Sequence, residues 1–233
     1  MIPIISVINL AIGAGSIYVA ADIYLHIYKH TKSLEYFYFS LMFLFSSIFF
    51  FLVGSPGIFT TSSFIIQYNF AISIFFPFLA LASIISVIEL IYTKYPAPII
   101  FWVIAIMGAI DTYVSIKYAL PAKVQYIGLF SYYLPNGSSV VQYLNGVSIA
   151  LIILGGTSIF WSSYIHLRKI DYSSAHRSLL FVIGGLALFV AGEAIYFWYP
   201  YLQIWNMWCE VFFSLVWVLF FGYAVLKKPA QAK

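Results

Sequence analysis

Charged residues are scarce in this chain. Only 8% of its 233 residues are Asp, Glu, Lys or Arg, whereas 64% are hydrophobic. A soluble domain carries about 25% charged residues, because its surface must face water. The mean hydropathy of +0.99 describes the whole length and leaves no separate water-soluble domain. We therefore predict a multi-pass protein of the cell membrane, with lipid as its solvent and one transmembrane domain over residues 1–233.

Cysteine is nearly absent, and the positive charges are dispersed. Cys209 is the only cysteine, which excludes an intramolecular disulfide and any site built from several cysteines of this chain. The net charge is +4, but the cations are spread along the sequence and form no basic patch. Nucleic acid is therefore not an expected partner.

Signatures of catalysis are also missing. The sequence has no P-loop, no HExxH, no GxSxG and no GxGxxG between a strand and a helix, so no residue pattern argues for an enzyme. The last predicted span, 202–226, contains no lysine. A retinal Schiff base needs that lysine, so a retinal photoreceptor is excluded.

Long apolar runs are the dominant positive feature. A helix needs about 20 apolar residues to cross roughly 30 Å of hydrocarbon. Short segments rich in Gly, Pro or charge, such as Gly54-Ser55-Pro56-Gly57 and Lys94-Tyr95-Pro96, divide the chain into seven such runs. We predict an all-α integral membrane protein, a bundle of seven transmembrane helices at about 2–26, 34–53, 64–91, 97–118, 140–165, 178–199 and 202–226.

Lysine and arginine are divided unequally between the two sides of this bundle. Nine of the eleven fall on the side of the C-terminus, and only Lys117 and Lys123 fall on the other. The positive-inside rule then places the N-terminus outside the cell and the C-terminus in the cytoplasm. Asn136 begins an Asn-Gly-Ser sequon in the predicted outer connection, which makes it a glycosylation candidate.

The connection from about 119 to 139 is the only long one. It contains Tyr126, Phe130, Tyr132 and Tyr133 and is too apolar for a free linker. We expect it either to lie on the outer membrane interface or to fold back over the bundle. In the second case it would cover an outer vestibule.

Acidic residues inside the predicted spans need an explanation. A charge at the centre of a bilayer costs about 2.5–3.5 kcal/mol even on insertion scales. Asp111, Glu193 and Glu210 lie at similar depth in the outer half, and no cation other than Lys117 lies deep enough to pair with them. Together with Glu89, nearer the cytoplasm, they are candidates for a proton relay or cation site. Alternatively, each is a protonated acid that joins two helices through a hydrogen bond.

The histidines form a second group of candidates, at the cytoplasmic side. Asp22, His26 and His30 repeat every four residues along one helix face. His166 ends the fifth span and His176 precedes the sixth, so both can approach that face. Imidazole and carboxylate groups suit a transition metal or a haem, whose identity the sequence leaves unknown.

Three functions are consistent with these patterns. The first is a non-catalytic integral subunit of a larger membrane complex, such as an energy-converting one, with buried carboxyls that relay protons. Short loops and aromatic residues on most helix faces favour it, because such faces contact lipid or other membrane subunits. The second is a small proton-coupled transporter or channel for an ion or solute. The third is a haem- or metal-binding membrane protein that uses the histidines.

Overall fold

Seven helices of this protein are long and apolar enough to cross a membrane. The structure, a computed structural model, describes residues 3–93, 98–127, 129–134, 136, 139–196 and 204–226. It is 85% helical, which confirms the prediction of a predominantly helical protein with seven long apolar helices. Insertion into a membrane and the orientation of the two termini stay predictions.

The helices follow one another with short connections. Their bounds are α1 Ile4–Asp22, α2 Lys29–Thr31, α3 Leu34–Phe59, α4 Ser63–Ser73, α5 Phe75–Thr93, α6 Pro98–Lys117, α7 Ser139–Leu167, α8 Tyr172–Tyr196 and α9 Ile204–Leu226. A π-helical segment, Ile23–Tyr28, joins α1 to α2 without a break. This first helix ends before Lys32, whose φ of 54° is left-handed and stops helical hydrogen bonding.

The second long helix extends beyond the predicted boundary at residue 53. It passes through Gly54-Ser55-Pro56-Gly57 and ends at Phe59. Pro56 lies in its last turn, where a missing N–H costs only one helical hydrogen bond. Gly54 lets α3 approach α1 closely, since a methyl group there would lie 2.8 Å from the Ser6 carbonyl oxygen. The local sequence Gly54-Ser55-Pro56-Gly57 favours a helix end, but close packing against α1 keeps α3 helical as far as Phe59.

The third span consists of two helices that meet at Ile74. α4 ends at Ser73 and α5 begins at Phe75. Pro77 accounts for the break, because its ring lacks an N–H and clashes with the carbonyl four residues earlier, at Ser73.

Six of the helices enclose a common core. α1 packs against α3, α3 against α5, α5 against α7, α7 against α8, α8 against α9, and α9 returns to α1. α6 lies outside this ring against α4, α5 and α7, and it is the least covered of the seven spans. The core of the ring is filled by large, fully buried side chains, among them Phe39, Phe43, Trp217 and Phe221.

A β-hairpin covers one end of the bundle. β1, Lys123–Ile127, pairs antiparallel with β2, Phe130–Leu134, with Lys123 opposite Leu134. The Ala122 amide donates to the Ser63 carbonyl over 3.1 Å, and Ser131, Tyr132 and Leu134 are buried. Of the two expected placements for this connection, the structure shows the one in which it folds back over the bundle. We name this the hairpin end, and the opposite end, which carries all four histidines, the histidine end.

Candidate functional site

Glu210 is the most deeply buried acid among the residues that the structure describes. Its side chain is 4% exposed, and its Oε1 atom has no hydrogen-bond partner there. Ser214 and Trp217 follow at four and seven residues, so the three lie on one face of α9, turned into the ring. The Trp217 Nε1–H is also buried without a described partner. This face of α9 therefore carries two unsatisfied polar groups inside the core.

A small cavity lies at the middle of the ring beside these residues. Its volume is about 70 Å³, and most of its walls are apolar side chains of α3, α5, α7, α8 and α9. Ser46 lines it but already donates to the Met42 carbonyl over 2.8 Å. Apolar cavities of this kind stay dry and accept small apolar molecules. Glu210 lies one helical turn from Ser214, which lines the cavity wall.

Packed aromatic side chains fill the core of the six-helix ring between this cavity and the histidine end. The ring centroids of Phe43 and Trp217 are 5.6 Å apart, and those of Phe181 and Phe221 are 4.9 Å apart. Phe39 stacks on Phe181 at 5.4 Å. Such packing closes the middle of the bundle to water in this conformation.

Asp111 lies in a different part of the bundle. It is half-buried on α6, at the border between the packed and the exposed face of that helix. Its Oδ2 atom and the Oγ1 atom of the adjacent Thr112 are both buried with no described hydrogen-bond partner. Because α6 packs against α4, α5 and α7 while α9 packs against α8 and α1, the structure does not bring Asp111 and Glu210 together.

The other two acid candidates are placed only by their helices. Glu193 belongs to α8 and Glu89 to α5. Their side chains lie outside the described residues, so the meeting of the three outer acids stays a prediction.

The histidine candidates are brought together only in part. The His26 Nδ1 and Asp22 Oδ1 atoms are 2.7 Å apart at the π-helical segment, and the His26 side chain is 71% exposed. His30 and His166 are exposed, and His176 stacks on Tyr172. Among the described residues, no three His, Cys, Asp or Glu side chains form a group able to hold a metal ion. One imidazole and one carboxylate fall short of the four ligands of a structural zinc site.

A further polar site lies beneath the hairpin, and the sequence did not predict it. Its buried side chains are Ser6, Asn9, Gln67 and Ser131. Uncharged polar residues inside long apolar runs were the available signal, but serine and amide groups in membrane helices usually serve helix packing.

Asn136 closes this site at its edge. Its backbone N–H donates to Gln67 Oε1 over 2.7 Å, and its side-chain nitrogen donates to the Pro121 carbonyl over 3.1 Å. The nitrogen that a glycan would modify therefore takes part in fixing the connection. Glycosylation of Asn136 stays a prediction.

Comparison with known proteins adds no further function to these sites. No protein-family model matches the chain, and no curated protein shows significant similarity to it.

Proposed function

We propose that this chain is a non-catalytic integral subunit of a larger membrane complex, inserted in the cell membrane with its hairpin end outside and its C-terminus in the cytoplasm. The length and apolar character of seven helices support insertion. The excess of lysine and arginine near the histidine end supports this orientation.

The observation that carries the subunit proposal is the pair of unsatisfied groups at Asp111 and Thr112. A buried oxygen without a partner costs about 1–3 kcal/mol, and hydrocarbon supplies no water to relieve the cost. Both groups lie on the helix with the least cover from its own chain. Asp111 is only half-buried, so a transmembrane helix of another subunit, packed against α6 and carrying a hydroxyl, amide or cationic side chain, would contact its carboxyl from the exposed side.

Photocrosslinking tests this placement of the partner. Met107 lies one turn from Asp111 on α6 and is 38% exposed, and Val190 on α8 is exposed to the same extent, 38%. With a photoreactive amino acid in cells, we expect position 107 to yield one defined crosslinked protein and position 190 to yield lipid adducts only. Equal products from the two positions would contradict the proposal.

Native mass spectrometry in mild detergent tests the role of Asp111 and Thr112 in binding the partner. We expect a stoichiometric complex for the wild type, loss of the partner for Asp111→Leu with Thr112→Val, and an unchanged complex for Ser158→Ala, an exposed serine on α7. A wild-type monomer in cells and in detergent, or a double variant that keeps its partner, would overturn the subunit proposal.

Glu210 supports a second candidate, proton-coupled transport. A carboxyl buried inside the ring beside a cavity suits a group that takes up and releases a proton. The aromatic packing between the cavity and the histidine end argues against a permanently open channel. Transport would therefore require these aromatic side chains to separate. In liposomes, we expect proton uptake that Glu210→Gln abolishes and Asp111→Asn leaves intact; wild-type liposomes without proton flux would exclude this candidate.

A further inference from the structure

An open vestibule lies between the hairpin and the ends of α1 and α3. Its volume is about 580 Å³, within the range of about 300–1,000 Å³ that is usual for small-molecule sites. Polar and apolar groups share its walls. We call it the hairpin vestibule, and its main lining residues are Val7, Phe59, Thr60, Thr61, Tyr126 and Tyr133.

A second, smaller cavity adjoins the hairpin vestibule. The two share the lining residues Gly57, Ser131 and Tyr133. The inner cavity has a volume of about 30 Å³, above the roughly 10–15 Å³ that one water molecule or hydroxyl group requires. We call it the amide chamber, because Asn9 and Gln67 both line it.

Asn9 lines the amide chamber and carries an unsatisfied amide oxygen. The side chain is 1% exposed, and its Oδ1 atom has no hydrogen-bond partner among the described residues. Gln67 is also buried, and the bond from Asn136 to its Oε1 fixes the orientation of its amide. A folded protein rarely leaves a buried amide oxygen without a partner, since the cost of removing it from water is then not recovered. A bound group in the amide chamber would recover it.

The chemistry of the walls limits what this group can be. None of the described residues that line either cavity is Asp, Glu, Lys, Arg or His, so an ion would lose its hydration without meeting an opposite charge. Amide and hydroxyl side chains both donate and accept hydrogen bonds, and a ligand hydroxyl does the same. The aromatic side chains of Phe59 and Tyr126 at the wider end suit an apolar or ring-shaped body.

We propose that the hairpin vestibule and the amide chamber together bind a small uncharged molecule, which inserts a hydroxyl group beside Asn9 and rests its apolar body against Phe59 and Tyr126. The site lies on α1, α3, α4 and the hairpin, and its lining includes neither Glu210 nor any residue of α6. It therefore depends neither on a partner subunit nor on proton transfer.

Titration calorimetry of the full-length protein in detergent tests this proposal with three probes of similar size. Benzyl alcohol carries a neutral hydroxyl, benzylamine is a cation at neutral pH, and benzoate is an anion. Subtracting the heat measured with protein-free micelles removes the contribution of partition into micelles, and Asn9→Leu, which matches asparagine in size without its amide, is the test variant. We expect wild-type protein to bind benzyl alcohol about tenfold or more tightly than either charged probe or than Asn9→Leu does.

A second variant keeps the test valid if Asn9→Leu does not fold. A methyl group at Gly57 would meet the Ser6 hydroxyl at the mouth of the amide chamber, so Gly57→Ala should also weaken benzyl alcohol binding. Gly15→Ala is the matched control, because nothing lies within 4 Å of the added methyl group. Equal binding of the three probes, binding unaltered in Asn9→Leu and Gly57→Ala, or occupation by water alone would overturn the proposal.

Discussion

The two ends of the bundle are held together by different chemistry. At the histidine end, the cation Arg177 joins three helices, and its side chain is only partly exposed. At the hairpin end, neutral hydroxyl and amide groups and a β-hairpin do the same work without a charge. Each end keeps a buried polar atom without a hydrogen-bond partner among the described residues: the charged Arg177 Nη2 at the histidine end and the neutral Asn9 Oδ1 at the hairpin end. The contrast is therefore between an end held by one cation and an end held by neutral polar groups.

Arg177 contacts two hydrogen-bond acceptors, one at the end of α9 and one at the start of α3. Its Nε–H donates to the Ala224 carbonyl over 2.9 Å, in the last turn of α9, where carbonyls have no partner within the helix. Its Nη2 atom lies 3.5 Å from Glu35 Oε1 on α3, and its guanidinium lies 5.7 Å from the centre of the Phe181 ring. One side chain of α8 thereby fixes the ends of α3 and α9.

Removing this cation should produce the largest effect. We expect Arg177→Met to lower the free energy of unfolding by about 2–3 kcal/mol, since the variant loses a charge-assisted hydrogen bond and leaves Glu35 without its cation. Thermal unfolding in detergent measures the change. Arg168→Met, at an exposed position after α7, is the control and should stay within about 0.5 kcal/mol of the wild type. Equal shifts in the two variants would remove the distinction between the ends.

Crowding the hairpin end should produce an intermediate effect. Gly57→Ala forces the added methyl group against the Ser6 hydroxyl, and such overpacking costs about 1–3 kcal/mol. Gly155→Ala, where nothing lies within 4 Å, should instead stabilise its helix by up to about 1 kcal/mol. The same thermal measurement compares them, and a Gly57→Ala protein as stable as the wild type would show that the hairpin end is loosely packed.

The N-terminus of α8, near Arg177, should show the smallest effect, and only as a function of pH. Ser174 Oγ donates to Asp171 Oδ2 over 2.5 Å, and with the Ser173 and Ser174 amides it holds the pKa of this carboxyl below its ordinary value of 3.8. A lowered pKa stabilises the fold above 3.8, and this contribution is lost as the pH falls through the lowered value.

Asp171→Asn isolates this effect, because asparagine keeps a capping oxygen without the charge. The small difference in thermal midpoint between wild type and variant should be constant near neutral pH and vanish in acid below 3.8. A difference that persists unchanged in acid would mean that the carboxylate charge plays no part.

The sequence predicted the seven helices because length and hydropathy alone determine whether a segment can span lipid. It did not predict the extension of α3 through Gly54 to Phe59, since that depends on the close approach of α1. The break at Ile74 was readable in principle from Pro77.

The candidate sites show a sharper limit. Distance along a helix gives the depth of an acid in the membrane, and Asp111 and Glu210 were correctly assigned to long apolar helices. Depth does not give the neighbours of a helix, and the ring order places α6 and α9 apart. Asn9 and Gln67 carry no comparable signal in the sequence, because an uncharged amide in a long apolar helix indicates a site only when the structure shows its hydrogen-bond partner to be missing.

The break at Ile74 has a consequence for the hairpin end. α4 carries both Gln67 and Ser63, which accept hydrogen bonds from the connection, so this short helix and the hairpin form one unit. A helix that lacks a backbone hydrogen bond bends there at lower cost, and Ile74 packs with Ile149 and Ile153, two residues in the wall of the central cavity. If the hairpin and α4 tilted together, they would pivot at Ile74, inside the core. A movement of the hairpin would then change the shape of the central cavity that Trp217 lines.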